Sequence, residues 1–261
     1  MSRDRDSLPA ARPDWCLFLD CDGTLVELRD HPGDVVVPEA VIELVHELLA
    51  VLDGAVAIVS GRGVDDLARL FGVPGLALAG IHGLERRDAA GRMHRDLAAE
   101  RALDAARAAV SEFVAARPGL LHEDKGGALA VHFRRDRAQA DAVHAFLREQ
   151  CERLDHDFHV QSGKDVYELK PSGRDKGRVV REFMGEPPFA GRRPVFVGDD
   201  DTDEHAFEAV NRLDGVSVRV GPPGRASRAR YRLESVDDAL AWLGSLPARI
   251  REGDKGNAGA R

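Results

Sequence analysis

Cysteine is scarce in this 261-residue chain. Cys16, Cys21 and Cys151 are odd in number and show no CxxC spacing, so neither a disulfide framework nor a zinc site is indicated. A reducing, cytoplasmic compartment fits that usage. Long apolar runs are missing as well: none approaches the roughly 20 residues that span a bilayer. The opening MSRDRDSLPAARPD has no apolar h-region, so neither a signal peptide nor a membrane is expected. Basic excess is also lacking, because 37 Lys and Arg face 45 Asp and Glu for a net charge of −8. That balance argues against nucleic acid as a partner. It leaves room for an anionic small molecule, since a local group of Lys and Arg can dominate one cleft. There is no internal repeat and no low-complexity tract. What remains is a globular composition, 43% hydrophobic and 31% charged, long enough for one large domain or two small ones.

The hydrophobic pattern divides the chain into three stretches. Apolar runs at Trp15–Asp20, Ala55–Ser60 and Gly75–Gly80 alternate with helical periodicity at Val41–Leu52 and Val64–Phe71, which predicts βαβ units and a parallel sheet. From Glu85 onward the pattern changes to hairpins. These turn at Asp88–Gly91, Gly126–Gly127 and Gly163, with helices around Leu103–Val114 and Val143–Leu154. The first pattern then resumes with a helix at Lys176–Met184, a strand at Pro194–Gly198, a helix at Asp203–Leu213 and a final strand at Val216–Val220. Met1–Asp14 and Glu252–Arg261 read as loose tails. The expected architecture is an α/β core formed by 1–86 and 167–261, interrupted by an α+β insert over 87–166.

Four short segments carry chemistry. Asp20-Cys21-Asp22-Gly23-Thr24-Leu25 follows a buried strand, and the carboxyl ends of parallel strands are where open α/β sheets place their sites. Paired carboxylates can supply a nucleophile and a proton carrier. A solvated turn has the same composition. A helix–loop–helix calcium loop is excluded, because counting from Asp20 its twelfth position is His31 rather than an acid. Gly198-Asp199-Asp200-Asp201-Thr202-Asp203-Glu204 also follows a buried strand. So many acids repel one another unless a cation sits among them, and oxygen ligands suit Mg²⁺; an acidic helix start capped by Thr202 or Asp203 reads equally well. Ser60-Gly61-Arg62 before a helix can cradle phosphate, or it can be a plain capped loop. Lys176, opening a helix, is uninformative by itself.

As a set and in this order, Asp20-x-Asp22-Gly-Thr-Leu, Ser60, Lys176 and Gly198-Asp199-Asp200-x-x-Asp203 resemble the four motifs of the haloacid dehalogenase-like hydrolases. The resemblance implies a Rossmann-like core, a parallel sheet with helices on both faces, with an inserted α+β cap domain of the C2 type. It implies an aspartate phosphatase using Mg²⁺. Asp20 would attack phosphorus, and Asp22 would protonate the leaving oxygen and then activate water. Asp20, Asp22 through its main-chain carbonyl, and Asp199 would hold the metal. Ser60 and Lys176 would hold phosphate oxygens, and Asp203 would support the metal site from behind. The second aspartate is absent from the family's dehalogenases and is replaced by Thr in its transport ATPases, so Asp22 points to a hydrolase that turns over. It also speaks against a receiver-type signalling domain. A non-catalytic sugar-phosphate sensor would lack a nucleophile or a metal ligand, and neither is lacking.

Further segments narrow the resemblance. Gly80-Ile81-His82-Gly83-Leu84-Glu85-Arg86-Arg87, Glu123-Asp124-Lys125-Gly126, Val131-His132-Phe133-Arg134 and Gly163-Lys164-Asp165-Val166-Tyr167-Glu168-Leu169-Lys170-Pro171 are similar to the trehalose-6-phosphate phosphatases. The likeness runs from Trp15 to Leu243. It implies a sugar phosphate as substrate and, as functional companion, a trehalose-6-phosphate synthase; phosphatases of sucrose phosphate or mannosylglycerate phosphate are the alternative. Glu123 and Lys125 alternate on one predicted strand, and Lys164 and Glu168 share a face of another hairpin. Without the family likeness these read as exposed cross-strand ion pairs. With it, all four are expected to contact glucose. Gly61, Arg62, His82, Arg134, Asp199 and Asp200 complete the expected substrate set, while Asp201 is expected to be solvated.

Overall fold

The computed structural model describes residues 8–29, 32–95, 97–154, 157–163, 165–224 and 226–258. In chain order its elements begin with β1 (Trp15–Leu19), α1 (Glu39–Val51), β2 (Val56–Val59), α2 (Val64–Phe71), β3 (Ala77–Gly80), β4 (Glu85–Arg87) and β5 (Met93–Arg95). Then come α3 (Leu97–Ala102), α4 (Asp104–Ala115), β6 (Leu121–Asp124), β7 (Leu129–His132), α5 (Ala140–Glu152), β8 (Phe158–Gly163) and β9 (Val166–Pro171). The chain ends with α6 (Lys176–Met184), β10 (Arg193–Gly198), α7 (Glu204–Arg212), β11 (Val216–Val220), β12 (Tyr231–Leu233) and α8 (Val236–Ala258). Two compact units result: residues 1–94 with 175–261, and residues 95–174. The joins fall beyond 87 and 166, the bounds read from hydrophobic pattern, because β4 extends the sheet of the first unit and β9 belongs to that of the second.

In the first unit the strand order is β12-β11-β10-β1-β2-β3-β4-β5, and every pairing from β12 to β3 is parallel. β1 (WCLFL) and β2 (VAIV) are buried along their whole length, as continuous apolar strands of a covered parallel sheet should be. After β1 the chain builds outward through β2 and β3, and later through β10 to β12 on the other side. The direction of winding therefore reverses at β1, and such a switch point opens a crevice at the strands' carboxyl ends. In the core of this unit Phe18 stacks on Phe189, and Phe183 packs tilted against both.

The second unit is a four-stranded antiparallel sheet in the order β6-β7-β9-β8. Period two sends Leu129, Val131 and Leu169 to one face, where they join Val110, Val143 and Leu147 of the helices in a separate core. The opposite face carries Glu123, His132, Glu168 and Lys170 beside Ala130.

Three elements go beyond the sequence reading. α3 precedes α4, β12 follows the strand taken as final, and α8 runs to Ala258 across part of the expected C-terminal tail. α8 is anchored by Trp242, Leu243, Leu246 and Ile250, all buried in the core of the first unit.

Candidate active site

Three adjacent strands end together. Leu19 pairs with Val197 of β10 and Ile58 of β2, so Asp20, Asp199 and Ser60 each lie just beyond the end of a neighbouring strand. Asp20 is buried, and its amide donates to Val197 O at 2.9 Å. From α6, Lys176 reaches in with its side chain 2% exposed. Its Nζ donates to Asp20 Oδ1 at 2.7 Å and to Asp203 Oδ1 at 2.6 Å. Asp175 caps that helix by accepting from the Arg178 amide, which fixes Lys176 at the first turn. Asp203 Oδ2 accepts from the Asp200 amide at 3.0 Å in a capping box with Asp200. Gly198 is required here, because a Cβ would stand 2.4 Å from the Asp203 carboxylate.

Charge is unevenly matched in this crowded place. Burial, followed by the neighbouring Asp203, pushes the Asp199 carboxyl up to about 7. Asp20 is raised by burial and by Asp203 and Asp199, against the pull of Lys176. Burial alone would lower Lys176, but the Asp20 and Asp203 carboxylates outweigh it and raise its pKa. One ammonium thus faces three carboxylates, and another positive charge would relieve the repulsion.

Oxygens of Asp20, Asp199 and Asp203 lie within 4.8 Å of one another. This all-oxygen set suits a hard divalent cation. Both Asp203 oxygens are already engaged, which leaves Asp20 and Asp199 facing the position. The turn at Gly23 (φ +84°) makes it possible, since a Cβ there would meet Asp199 Oδ2 at 2.3 Å. Thr24 Oγ1 donates to Asp199 Oδ1 at 3.4 Å. The Asp22 carboxylate stands outside this group and is taken by Arg62.

The loop after β2 forms the other wall. Ser60 Oγ accepts from the Arg62 amide at 3.2 Å. His82 adopts an unusual left-handed conformation (φ 52°) next to Ile81 (φ 49°), and its amide donates to Ser60 O at 3.1 Å. Its imidazole lies over Gly61, where a Cβ would come within 2.8 Å of Nε2. Strain of this kind in a β-branched residue and its neighbour marks a place where backbone position matters. The structure therefore brings Asp20, Asp22, Ser60, Gly61, Arg62, His82, Lys176, Asp199, Asp200 and Asp203 together at one end of the sheet. Asp201 is exposed, as expected.

The sequence reading missed Arg219 and Glu85. Arg219 lies in the buried strand VSVRV; its Nη2 donates to Asp199 O at 3.1 Å and its Nη1 to Glu204 Oε1 at 3.2 Å. A charged side chain inside a fully buried strand was the available signal. Glu85 Oε1 accepts from the Val64 amide at the start of α2.

In the second unit Glu123 and Glu168 both register with Ala130, on the sheet face opposite the apolar core. Among the described residues each is held by a basic side chain. Glu123 Oε2 is 2.8 Å from His132 Nε2, and Lys125 Nζ donates to Glu168 Oε1 at 2.9 Å. Burial works to raise the Glu123 carboxyl, yet His132 and Lys125 prevail and hold it below the usual range. Arg134 lies 3.6 Å from Asp165. Lys164 lies outside the described residues.

A family model described as trehalose-phosphatase matches residues 18–237. A probable trehalose-phosphate phosphatase of Sinorhizobium fredii is 42% identical over 235 residues, 90% of this chain and 87% of that protein. The trehalose-6-phosphate phosphatase of Escherichia coli K12 is 36% identical over 258 residues, 95% of this chain and 92% of that protein. Among solved structures, the C-terminal domain of Candida albicans trehalose-6-phosphate phosphatase superposes with a TM-score of 0.77 at 22% identity, covering 92% of this chain and 93% of that one. At that identity the likeness speaks for the fold.

Proposed function

The chain belongs to the trehalose-phosphatase family, and from that membership we infer that it cleaves the ester of trehalose 6-phosphate to give trehalose and inorganic phosphate. It is a phosphoric monoester hydrolase. The observation that carries the mechanism is the buried Asp20–Lys176–Asp203 set with Asp199 beside it. An Asp20 carboxylate oxygen attacks phosphorus, and the bond from phosphorus to the sugar oxygen breaks with its electron pair on that oxygen. Asp22 gives this oxygen its proton. Asp22 then takes a proton from water, the resulting hydroxide attacks the phosphorus of the aspartyl-phosphate, and Asp20 is released as carboxylate. Lys176, held at Asp20, and Ser60 with the Gly61 backbone receive phosphoryl oxygens, so the work is positioning and charge neutralisation.

Asp20, Asp199 and the main-chain carbonyl of Asp22 would hold Mg²⁺, which when bound draws negative charge from the phosphoryl group. Lys176 restrains Asp20, and Asp203 restrains Lys176. Asp200 closes the turn that presents Asp199.

Glu123, Lys125 and Glu168, with Lys164, His82 and Arg134, are assigned to the sugar hydroxyls; charged side chains make the strong hydrogen bonds a disaccharide can use. The named relatives favour trehalose 6-phosphate over the sucrose and mannosylglycerate esters. A cytoplasmic setting, with a trehalose-6-phosphate synthase supplying the substrate, completes the reading. No helix among the described residues is long and apolar enough to cross a membrane. The test is phosphate release with Mg²⁺ from trehalose 6-phosphate, sucrose 6-phosphate and glucose 6-phosphate. A strong preference for the first is expected, and equal rates would contradict the assignment.

A further inference from the structure

Arg62 was expected to bind phosphate, but its guanidinium is engaged elsewhere. Nε donates to Asp22 Oδ2 at 2.6 Å and Nη2 to Asp22 Oδ1 at 2.8 Å, a two-pronged fork on one carboxylate. Nη1 donates to Asp66 Oδ2 at 2.8 Å. One cationic head thus lies between two carboxylates, which leaves little net charge to attract a phosphate dianion. The side chain is only 10% exposed, so water screens these contacts weakly. Its backbone is fixed too: Arg62 O accepts from the Ile81 amide at 2.9 Å, and a Cβ at Gly80 would come within 2.6 Å of that oxygen. Asp66 sits in the first turn of α2, whose leading amide is held by Glu85.

We propose that Arg62, backed by Asp66, is a positioning residue for the carboxyl of Asp22 and acts on departure of the sugar rather than on phosphate binding. The inference rests on the reading of Asp22 as the group that protonates the leaving oxygen. Asp22 is partly open to solvent, its side chain being 27% exposed. Without the fork it is free to swing away from the breaking bond. Misplacement of a reacting group by about 1 Å costs on the order of a hundredfold in rate.

The test compares kcat/KM for trehalose 6-phosphate and for p-nitrophenyl phosphate, whose phenolate leaves without a proton. This ratio reports the steps through leaving-group departure, before the aspartyl-phosphate is hydrolysed. Arg62→Gln should lower the value for the sugar ester about 10- to 100-fold, within the range a general acid supplies, and change the aryl ester by less than about threefold. Asp66→Asn, which leaves Arg62 in place, should show the same selectivity with a smaller loss. Arg62→Lys should recover part of the rate, as it restores the charge without the fork. A parallel rise in KM for both esters would show that Arg62 binds phosphate and overturn the proposal. Equal kcat losses on both, or no loss on either, would overturn it as well. Asp22→Asn is the separate control: if it fails to discriminate between the two esters, the reading of Asp22 falls, whatever Arg62 does.

Discussion

Replacing Lys176 by Met removes the ammonium and nearly preserves length and volume. In the native protein Nζ contacts Asp20 Oδ1 at 2.7 Å and Asp203 Oδ1 at 2.6 Å, and all three groups are buried. At an effective dielectric constant of about 20 each contact represents roughly 6 kcal/mol of gross attraction. Desolvation of the three groups cancels much of it, so the net figure is the cost of leaving charges buried without their partner, about 3–5 kcal/mol. Urea unfolding in EDTA measures this. Trp15 and Trp242, which pack at 6.4 Å in the first unit, report its unfolding by fluorescence. With a slope of about 2 kcal/mol per molar urea, the midpoint should fall by roughly 1.5–2.5 M. Asp203→Asn alone should also destabilise, and the double variant should lose clearly less than the sum, because the two side chains interact directly. A midpoint shift of Lys176→Met below about 0.5 M, or strict additivity in the double variant, would refute the reading of a charged, mutually dependent cluster.

Asp199 sets a pH dependence in the metal-free protein. Its folded carboxyl titrates near 7, above the unfolded value of about 3.9. Folding therefore favours the protonated form, and stability should decline as pH rises from about 4 to about 7; Mg²⁺ should remove the decline, and a flat urea midpoint without metal would contradict it. Arg219→Met, which releases the Asp199 carbonyl, should weaken Mn²⁺ binding by calorimetry about 10- to 100-fold. Gly23→Ala forces a Cβ against the Asp199 carboxylate at φ +84°, so metal binding should be lost while the protein remains folded by circular dichroism. Burial pushes the Cys16 thiol up to about 12 and raises Cys21 as well; iodoacetamide at about pH 8 should therefore label both only after unfolding.

The core strands and the four chemical segments were legible because both depend on local order. A buried parallel strand writes a continuous apolar run, and its site residues follow directly at its end, as Asp20 follows Leu19 and Asp199 follows Gly198. Partner choice was not legible. Arg62 follows Ser60 in the chain, but nothing local announces that its guanidinium meets Asp22, 40 residues earlier, and Asp66 on α2. Glu123 and Lys125 alternate along one stretch of chain, but that alternation does not say that His132, which registers with Leu121, reaches Glu123, or that Lys125 reaches Glu168. Arg219 carried no motif, and its role follows from the parallel pairing that sets it beside Gly198. The run of helix past residue 252 was hidden because its sequence there is polar and Gly-containing, while the residues that dock α8 lie earlier in it.

The central claim is that Asp20 takes the phosphoryl group from trehalose 6-phosphate. Rapid-quench turnover of substrate labelled with ³²P, with Mg²⁺ present, tests it directly. The account predicts transient label on the protein that hydroxylamine releases, mapped to the Asp20 peptide and absent from Asp20→Asn. Label that persists in Asp20→Asn, or steady phosphate release by that variant near the wild-type rate, would contradict it.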